Sequence, residues 1–195
     1  MIAFVRGQYA MKAPARVVVD VNGVGYELQI SLNTYAAIAD LAEGKLFTWL
    51  HVTENAHTLY GFFSETEKEL FLQLISVSGV GASTARIMLS GMKPDEIVKA
   101  IVQSNTKLLE SIKGIGRKTA ERIIVELRDK LAKHELQLAG GEISGLPHNT
   151  VEADALEALV ALGVNRAMAA TAVKKAINGG AQGVEDTIKQ ALKNL

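Results

Sequence analysis

The chain has 195 residues, 48% of them hydrophobic, and its 21 Lys and Arg are balanced by 21 Asp and Glu. Cysteine is absent, which excludes disulfides, thiolate zinc centres and cysteine nucleophiles and fits a reducing cytoplasm. The amino terminus, Met1-Ile2-Ala3-Phe4-Val5-Arg6, has no charged segment followed by a long apolar run, and no later stretch is long enough to span a bilayer, so a cytoplasmic protein with no membrane partner is expected.

From Met1 to Phe63 the composition predicts strands at 2–8, 16–21, 26–30, 46–53 and 58–62, rich in Val, Leu, Phe, Tyr and Thr. Asn22-Gly23 marks a tight turn between the second and third strands, and alanines with Ile38 and Leu41 at helical spacing predict one helix over 34–41. Three strands, a helix and two strands is the order of a small Greek-key barrel of the OB type, expected as a first domain over 1–63.

From Ser64 to about Leu138 the pattern is helical, and a second domain is expected over 64–138. Helices are predicted at 65–75, 82–89, 94–102, 106–112 and from Arg117 to about Leu131, the first opened by a capping box of Ser64 and Glu67. Two segments here are near copies, Val77-Ser78-Gly79-Val80-Gly81-Ala82-Ser83-Thr84-Ala85 and Ile112-Lys113-Gly114-Ile115-Gly116-Arg117-Lys118-Thr119-Ala120, 35 positions apart. Each reads as helix, Gly-hydrophobic-Gly turn, helix. Glycine lets backbone amides approach a ligand closely, and the following helix begins with unpaired donors and partial positive charge, an anion site suited to a nucleic-acid phosphate. One such corner is equally well a plain αα-hairpin. Two in register, the second followed by Arg117, Lys118 and Arg122, favour a tandem helix-hairpin-helix DNA-binding unit.

The stretch 139–150, Ala-Gly-Gly-Glu-Ile-Ser-Gly-Leu-Pro-His-Asn-Thr, has no periodicity and reads as a flexible linker. Beyond it, 151–195 predicts three short helices at 152–162, 166–177 and 184–192, broken by Gly163 and Gly179-Gly180. A small alanine-rich bundle on a tether is read as an adaptor for another protein, with a simple stabilising cap as the alternative.

Zero net charge argues mildly against a nucleic-acid partner. Of the 21 basic residues, however, 12 fall in 64–138 against 10 acidic ones, a small excess in which placement counts, because the basic side chains at the hairpins would face phosphate. Gly114-Ile115-Gly116-Arg117-Lys118-Thr119 has Arg117 where an ATPase phosphate loop needs glycine before the lysine, so no ATP site is expected. His51, His57, His134 and His148 are scattered without metal-ligand spacing, and Gly23-Val24-Gly25 lies between strands, where a dinucleotide fingerprint cannot act. No catalytic residue, metal or cofactor is assigned. A DNA glycosylase carries a similar hairpin but follows it with a glycine- and proline-rich loop and a catalytic aspartate, whereas here one helix runs on past Asp129.

Taken together, Met1-Ile2, Gly23-Val24-Gly25-Tyr26-Glu27, Leu59-Tyr60-Gly61-Phe62, both hairpins, Lys118-Thr119-Ala120-Glu121-Arg122 and Ala158-Leu159-Val160-Ala161-Leu162-Gly163 closely resemble the bacterial RuvA family of Holliday-junction recognition proteins, over the whole chain and in the same order of domains. The resemblance implies an α+β multidomain protein: an OB barrel, a tandem helix-hairpin-helix domain, a linker and a three-helix motor-binding domain. It implies a homotetramer that holds a four-way junction open and planar, with two tetramers sandwiching the junction in some settings. The RuvB hexameric ATPase then docks on the C-terminal domain and drives branch migration, and the RuvC resolvase follows. ATP belongs to RuvB.

Residue by residue, the DNA contacts expected are the amides at Gly79, Gly81, Gly114 and Gly116 with Arg86, Arg117, Lys118 and Arg122, gripping phosphates without reading bases. Family members carry two adjacent acids in the loop between the fourth and fifth strands, facing the crossover. Here Glu54 matches and Asn55 replaces the second acid. Ser83 stands where many relatives have a basic residue, with Arg86 one turn along as a substitute. For the motor contact the apolar candidates are Leu159, Leu162 and Val164, the last at a position often aromatic in relatives. A general duplex tether, and a protein scaffold using the same corners for packing, are the other classes. The scaffold leaves Arg117-Lys118 at a helix N-terminus with nothing negative to meet.

Overall fold

A computed structural model of the chain describes residues 1–139 and 151–195, with side chains omitted over 133–139. The chain folds as two compact units, Met1–Gly141 and Glu142–Leu195. The linker expected at 139–150 lies, apart from Ala139, outside the described residues.

The first unit opens with a closed five-stranded barrel in the order β1-β2-β3-β5-β4, with β1 Phe4–Ala13, β2 Arg16–Val21, β3 Val24–Ile30, β4 Glu43–Val52 and β5 His57–Phe62. All five expected strands are present. β1 runs to Ala13, beyond the expected end at Gln8, because a bulge between Tyr9 and Met11 bends it, so that its first half pairs with β4 and its second with β2. β3 and β5 close the barrel in parallel, Gln29 opposite Tyr60 and Ile30 opposite Gly61. The predicted turn is a tight one: Asn22 and Gly23 both have positive φ (51° and 86°), and the Gly23 amide donates to Asp20 Oδ1 at 2.7 Å. Alternate inward side chains, among them Val17, Val19, Leu28, Ile30 and Leu46, fill the interior.

The single helix of the barrel, α1, spans Leu32–Ala37 and not 34–41. The Ser31 hydroxyl accepts the Thr34 amide and so starts the helix two residues early. The turn after it folds back under the Lys12 ammonium, which donates to the carbonyls of Ile38 (3.3 Å) and Leu41 (2.9 Å).

Helices α2 (Glu65–Ser76), α3 (Ala82–Gly91), α4 (Pro94–Val102), α5 (Thr106–Glu110) and α6 (Arg117–Ala139) complete this unit. Ser64 caps α2 by accepting the Glu67 amide at 3.1 Å. The reciprocal half of the expected capping box is absent, because the Glu67 carboxylate turns into the barrel and accepts hydrogen bonds from Ser31 and Thr34. α6 continues eight residues past the expected end at Leu131, since neither glycine nor proline interrupts 131–139. One apolar cluster joins barrel to helices: the Phe71 ring of α2 lies 5.4 Å from Trp49, 5.3 Å from Tyr60 and 4.9 Å from Phe62.

The second unit is a three-helix bundle of α7 (Val151–Ala161), α8 (Arg166–Asn178) and α9 (Gly183–Lys193). Its core is small-residue packing around Leu159 and Val173, with Ala155, Ala169, Ala172 and Ala176. Among the described residues no helix is long and apolar enough to cross a membrane.

Candidate nucleic-acid interface

The two hairpins are built alike down to single hydrogen bonds. In the first, Val77 N donates to Leu74 O (3.1 Å), Val80 N to Val77 O (3.0 Å) and Ala85 N to Gly81 O (2.9 Å). In the second, Ile112 N donates to Leu109 O (3.2 Å), Ile115 N to Ile112 O (3.0 Å) and Ala120 N to Gly116 O (3.0 Å). Val80 and Ile115, the residues between the glycines, are both buried and anchor each turn to the core.

Within each pair the glycines serve different ends. Gly79 and Gly114 have φ of 90° and 92°, a conformation that a side chain strains. Gly81 has φ of −86°, Gly116 also lies outside the left-handed region, and a Cβ at either would meet no atom within 4 Å. Neither a left-handed backbone nor a close neighbour requires glycine at those two positions. They stand before the first turns of α3 and α6, whose leading amides have no acceptor within the helix, and Gly81 brings no side-chain cap. The bare backbone leaves those donors accessible to an external anion.

The expected cations separate into distinct settings. Lys118 is exposed and has no hydrogen bond or ion pair among the described residues. Arg117 is exposed but held, its Nε donating to Glu121 Oε1 at 2.8 Å. That hydrogen bond, then the charges of Glu121 and Glu110, raise its pKa above the ordinary arginine value. Arg122 reaches across to the first hairpin and donates from Nη1 to Ser78 O at 3.0 Å. Arg86 is turned away from the first hairpin and fastened to the barrel, donating to Gln29 Oε1 (2.6 Å) and Ala15 O (3.2 Å). Lys113, exposed within the second hairpin and without a partner among the described residues, adds a cation that sequence reasoning passed over. Its place between Ile112 and Gly114 is the signal that could have found it.

Glu54 and Asn55 are both exposed at the tip of the β4–β5 hairpin. Thr53 closes that tip, its amide donating to Ala56 O at 2.9 Å and its hydroxyl accepting the Ala56 amide at 3.1 Å. The two side chains therefore project from a defined turn.

In the C-terminal bundle, Leu159 is fully buried, Val164 is half-buried against the core and Leu162 is 65% exposed. Leu162 precedes Gly163, whose φ of 92° ends the helical region. Of the three candidates, Leu162 is the one whose side chain is open to a partner, with Met168 of α8 also exposed.

Comparison with known proteins covers all these parts. The family model described as RuvA N terminal domain matches residues 1–61, that of a SAM-like Helix-hairpin-helix tandem matches 71–129, and that of RuvA, C-terminal domain matches 150–195. The chain is 44% identical to the Holliday junction branch migration complex subunit RuvA of Cytophaga hutchinsonii, over 99% of each chain. It is 44% identical to the protein of the same name from Christiangramia forsetii, over 100% of each, and 41% identical to that of Neisseria gonorrhoeae, over 100% of this chain and 99% of the relative.

Proposed function

Since this chain belongs to the RuvA family, we propose that it is the DNA-recognition subunit of a Holliday junction branch migration complex, binding four-way junctions through its paired hairpins in recombination and repair. The observation that carries this is the doubled hairpin with matching turn bonds, in which Gly81 and Gly116 leave helix N-termini uncovered although neither packing nor a left-handed backbone demands glycine there.

The mechanism follows from what those groups can do. Amides beginning α3 and α6 meet phosphate oxygens, and Lys118 and Lys113 supply charge beside them. None of these contacts reads a base, so recognition is of backbone geometry. One hairpin holds a phosphate weakly. A homotetramer multiplies the hairpins around the four arms, and only DNA that reaches all of them together gains the full avidity. The Glu54 tip repels phosphates at the crossover and keeps strands apart there.

The bundle over 151–195 then recruits the RuvB ATPase, with Leu162 as the apolar contact, and RuvC joins a larger complex. Two tetramers enclose the junction in the octameric form. The chain hydrolyses no ATP and needs no cofactor or metal of its own, acting in the cytoplasm. In this division of labour residues 1–63 form the barrel, 64–138 the DNA grip, 139–150 the tether and 151–195 the motor contact.

The test is competition, at fixed salt, between an immobile four-way junction and a linear duplex of the same length and base content. Strong preference for the junction is expected. Equal affinity would leave a general duplex tether, and no binding to either would make the hairpins packing corners.

A further inference from the structure

Arg122 lies in the second turn of α6, in the second hairpin's helix, yet its hydrogen bond is to the first hairpin, 44 residues earlier in the chain. The acceptor, Ser78 O, immediately precedes the left-handed Gly79, and Arg122 Nη1 lies 3.8 Å from where a Gly79 Cβ would stand. The bond breaks the internal symmetry. At the repeat offset of 35, Arg122 corresponds to Ile87 and Ser78 to Lys113. Ile87 has no side-chain donor, so the reciprocal tie from α3 to the second hairpin cannot form. Among the described residues, this is the hydrogen bond that joins α6 to the first hairpin.

We propose that Arg122 is a positioning residue of the DNA interface: its guanidinium fixes the first hairpin against the second, so that two sets of helix N-terminal amides meet the backbone at one set spacing. This rests on the nucleic-acid reading of the hairpins. A guanidinium suits the task because its fork of donors is planar and directional, so one arm holds Ser78 O while the others stay free. Lysine in its place keeps the charge and loses the fork. The tie ends directly on the first hairpin's turn, whereas at its other end it is held by α6 beyond the second hairpin's turn, so its loss is felt first at Ser78 and Gly79.

The experiment uses the full chain with Arg122→Lys and Arg122→Ala and two readouts. The first is amide hydrogen exchange without DNA. Both variants are expected to speed exchange over 77–81 about tenfold, while 112–116 keeps its rate. The second is the salt dependence of junction binding. Arg122→Lys is expected to lose about one phosphate contact from the slope although its charge is kept, and Arg122→Ala to lose about two. An Arg122→Lys variant with unchanged exchange and slope would overturn the proposal and leave Arg122 a simple phosphate contact. Faster exchange with unchanged DNA binding in both variants would also overturn it, leaving a local brace. Failure of the unmodified chain to bind any DNA would instead remove the nucleic-acid reading, and the exchange data would still report the bond.

Discussion

The Glu67 carboxylate, on the first turn of α2, accepts the Thr34 hydroxyl of α1 at 2.6 Å in a fully buried site between helices and barrel. Ser31 donates to its other oxygen. Burial raises the Glu67 pKa, against hydrogen bonds from Ser31, Thr34 and the Phe63 amide that lower it. The folded chain thus holds this proton to higher pH than the unfolded chain, whose reference value is 4.5. By linkage, stability from this group is greatest below that value and falls as pH rises through the raised one.

Glu67→Gln, neutral at every pH, is therefore expected to lack that fall. Urea unfolding of both proteins between acidic and neutral pH checks it, and parallel stability curves would refute it. Glu67→Ala leaves two buried hydroxyls without their acceptor and should cost about 2–4 kcal/mol.

Gly81→Ala separates folding from binding. With φ of −86° and no atom within 4 Å of the new Cβ, its unfolding free energy should change by less than about 1 kcal/mol. Its methyl group intrudes on the space a phosphate would use, so junction affinity should drop about tenfold or more. Gly114→Ala, at φ of 92°, should by contrast lose about 1–2 kcal/mol of stability. Calorimetry and a binding titration on the same preparations decide both, and unimpaired binding by Gly81→Ala would show that no ligand approaches there.

Lys118 has no internal partner to lose among the described residues. Lys118→Ala should weaken binding to all DNA sequences alike and reduce the slope of log affinity against log salt by about 0.9. An unchanged slope would remove Lys118 from the interface.

Glu121 competes for Arg117. Releasing the 2.8 Å ion pair by Glu121→Gln should tighten duplex and junction binding by about two- to threefold and steepen the salt dependence, a modest gain because the pair is exposed. Fluorescence anisotropy at several salt concentrations reads both effects. Weaker binding would mean that Glu121 orients Arg117 toward DNA instead of withholding it.

Asn55→Asp restores a second carboxylate at the β4–β5 tip. Added repulsion should lower junction affinity at low salt, with the difference vanishing as salt is raised. Equal or tighter binding of the Asp variant at low salt would mean that this tip does not face DNA.

What could be read in advance follows the range of the interactions involved. The hairpins were visible because both their determinants, left-handed glycines and a buried residue between them, are local and occur twice. Strands and helices were visible for the same reason, through alternation, capping and turn residues. Misreadings arose where a distant partner decides. Glu67 has the spacing of a capping box, but Ser31 and Thr34, more than thirty residues away, claim its carboxylate. Arg86 looks like a cation one turn beyond the first hairpin until the Ala15 carbonyl and Gln29 are placed beside it. Leu159 and Leu162 share a helical stretch and a hydropathy, and only packing shows that the first is core and the second surface.

The parallel seam between β3 and β5 also sets an order of events during synthesis. Gln29 cannot meet Tyr60 until that part of the chain has left the ribosome, and Glu67 and Arg86, whose hydrogen bonds tie the helices to Thr34 and to Gln29, emerge later still. The Phe71 ring that packs on Trp49, Tyr60 and Phe62 in the folded chain also follows them in sequence, and pairings of distant segments are the slow-forming kind. The helical part of this unit, which carries the proposed ligand site, thus also supplies the ring and the carboxylate that its amino-terminal neighbour packs against.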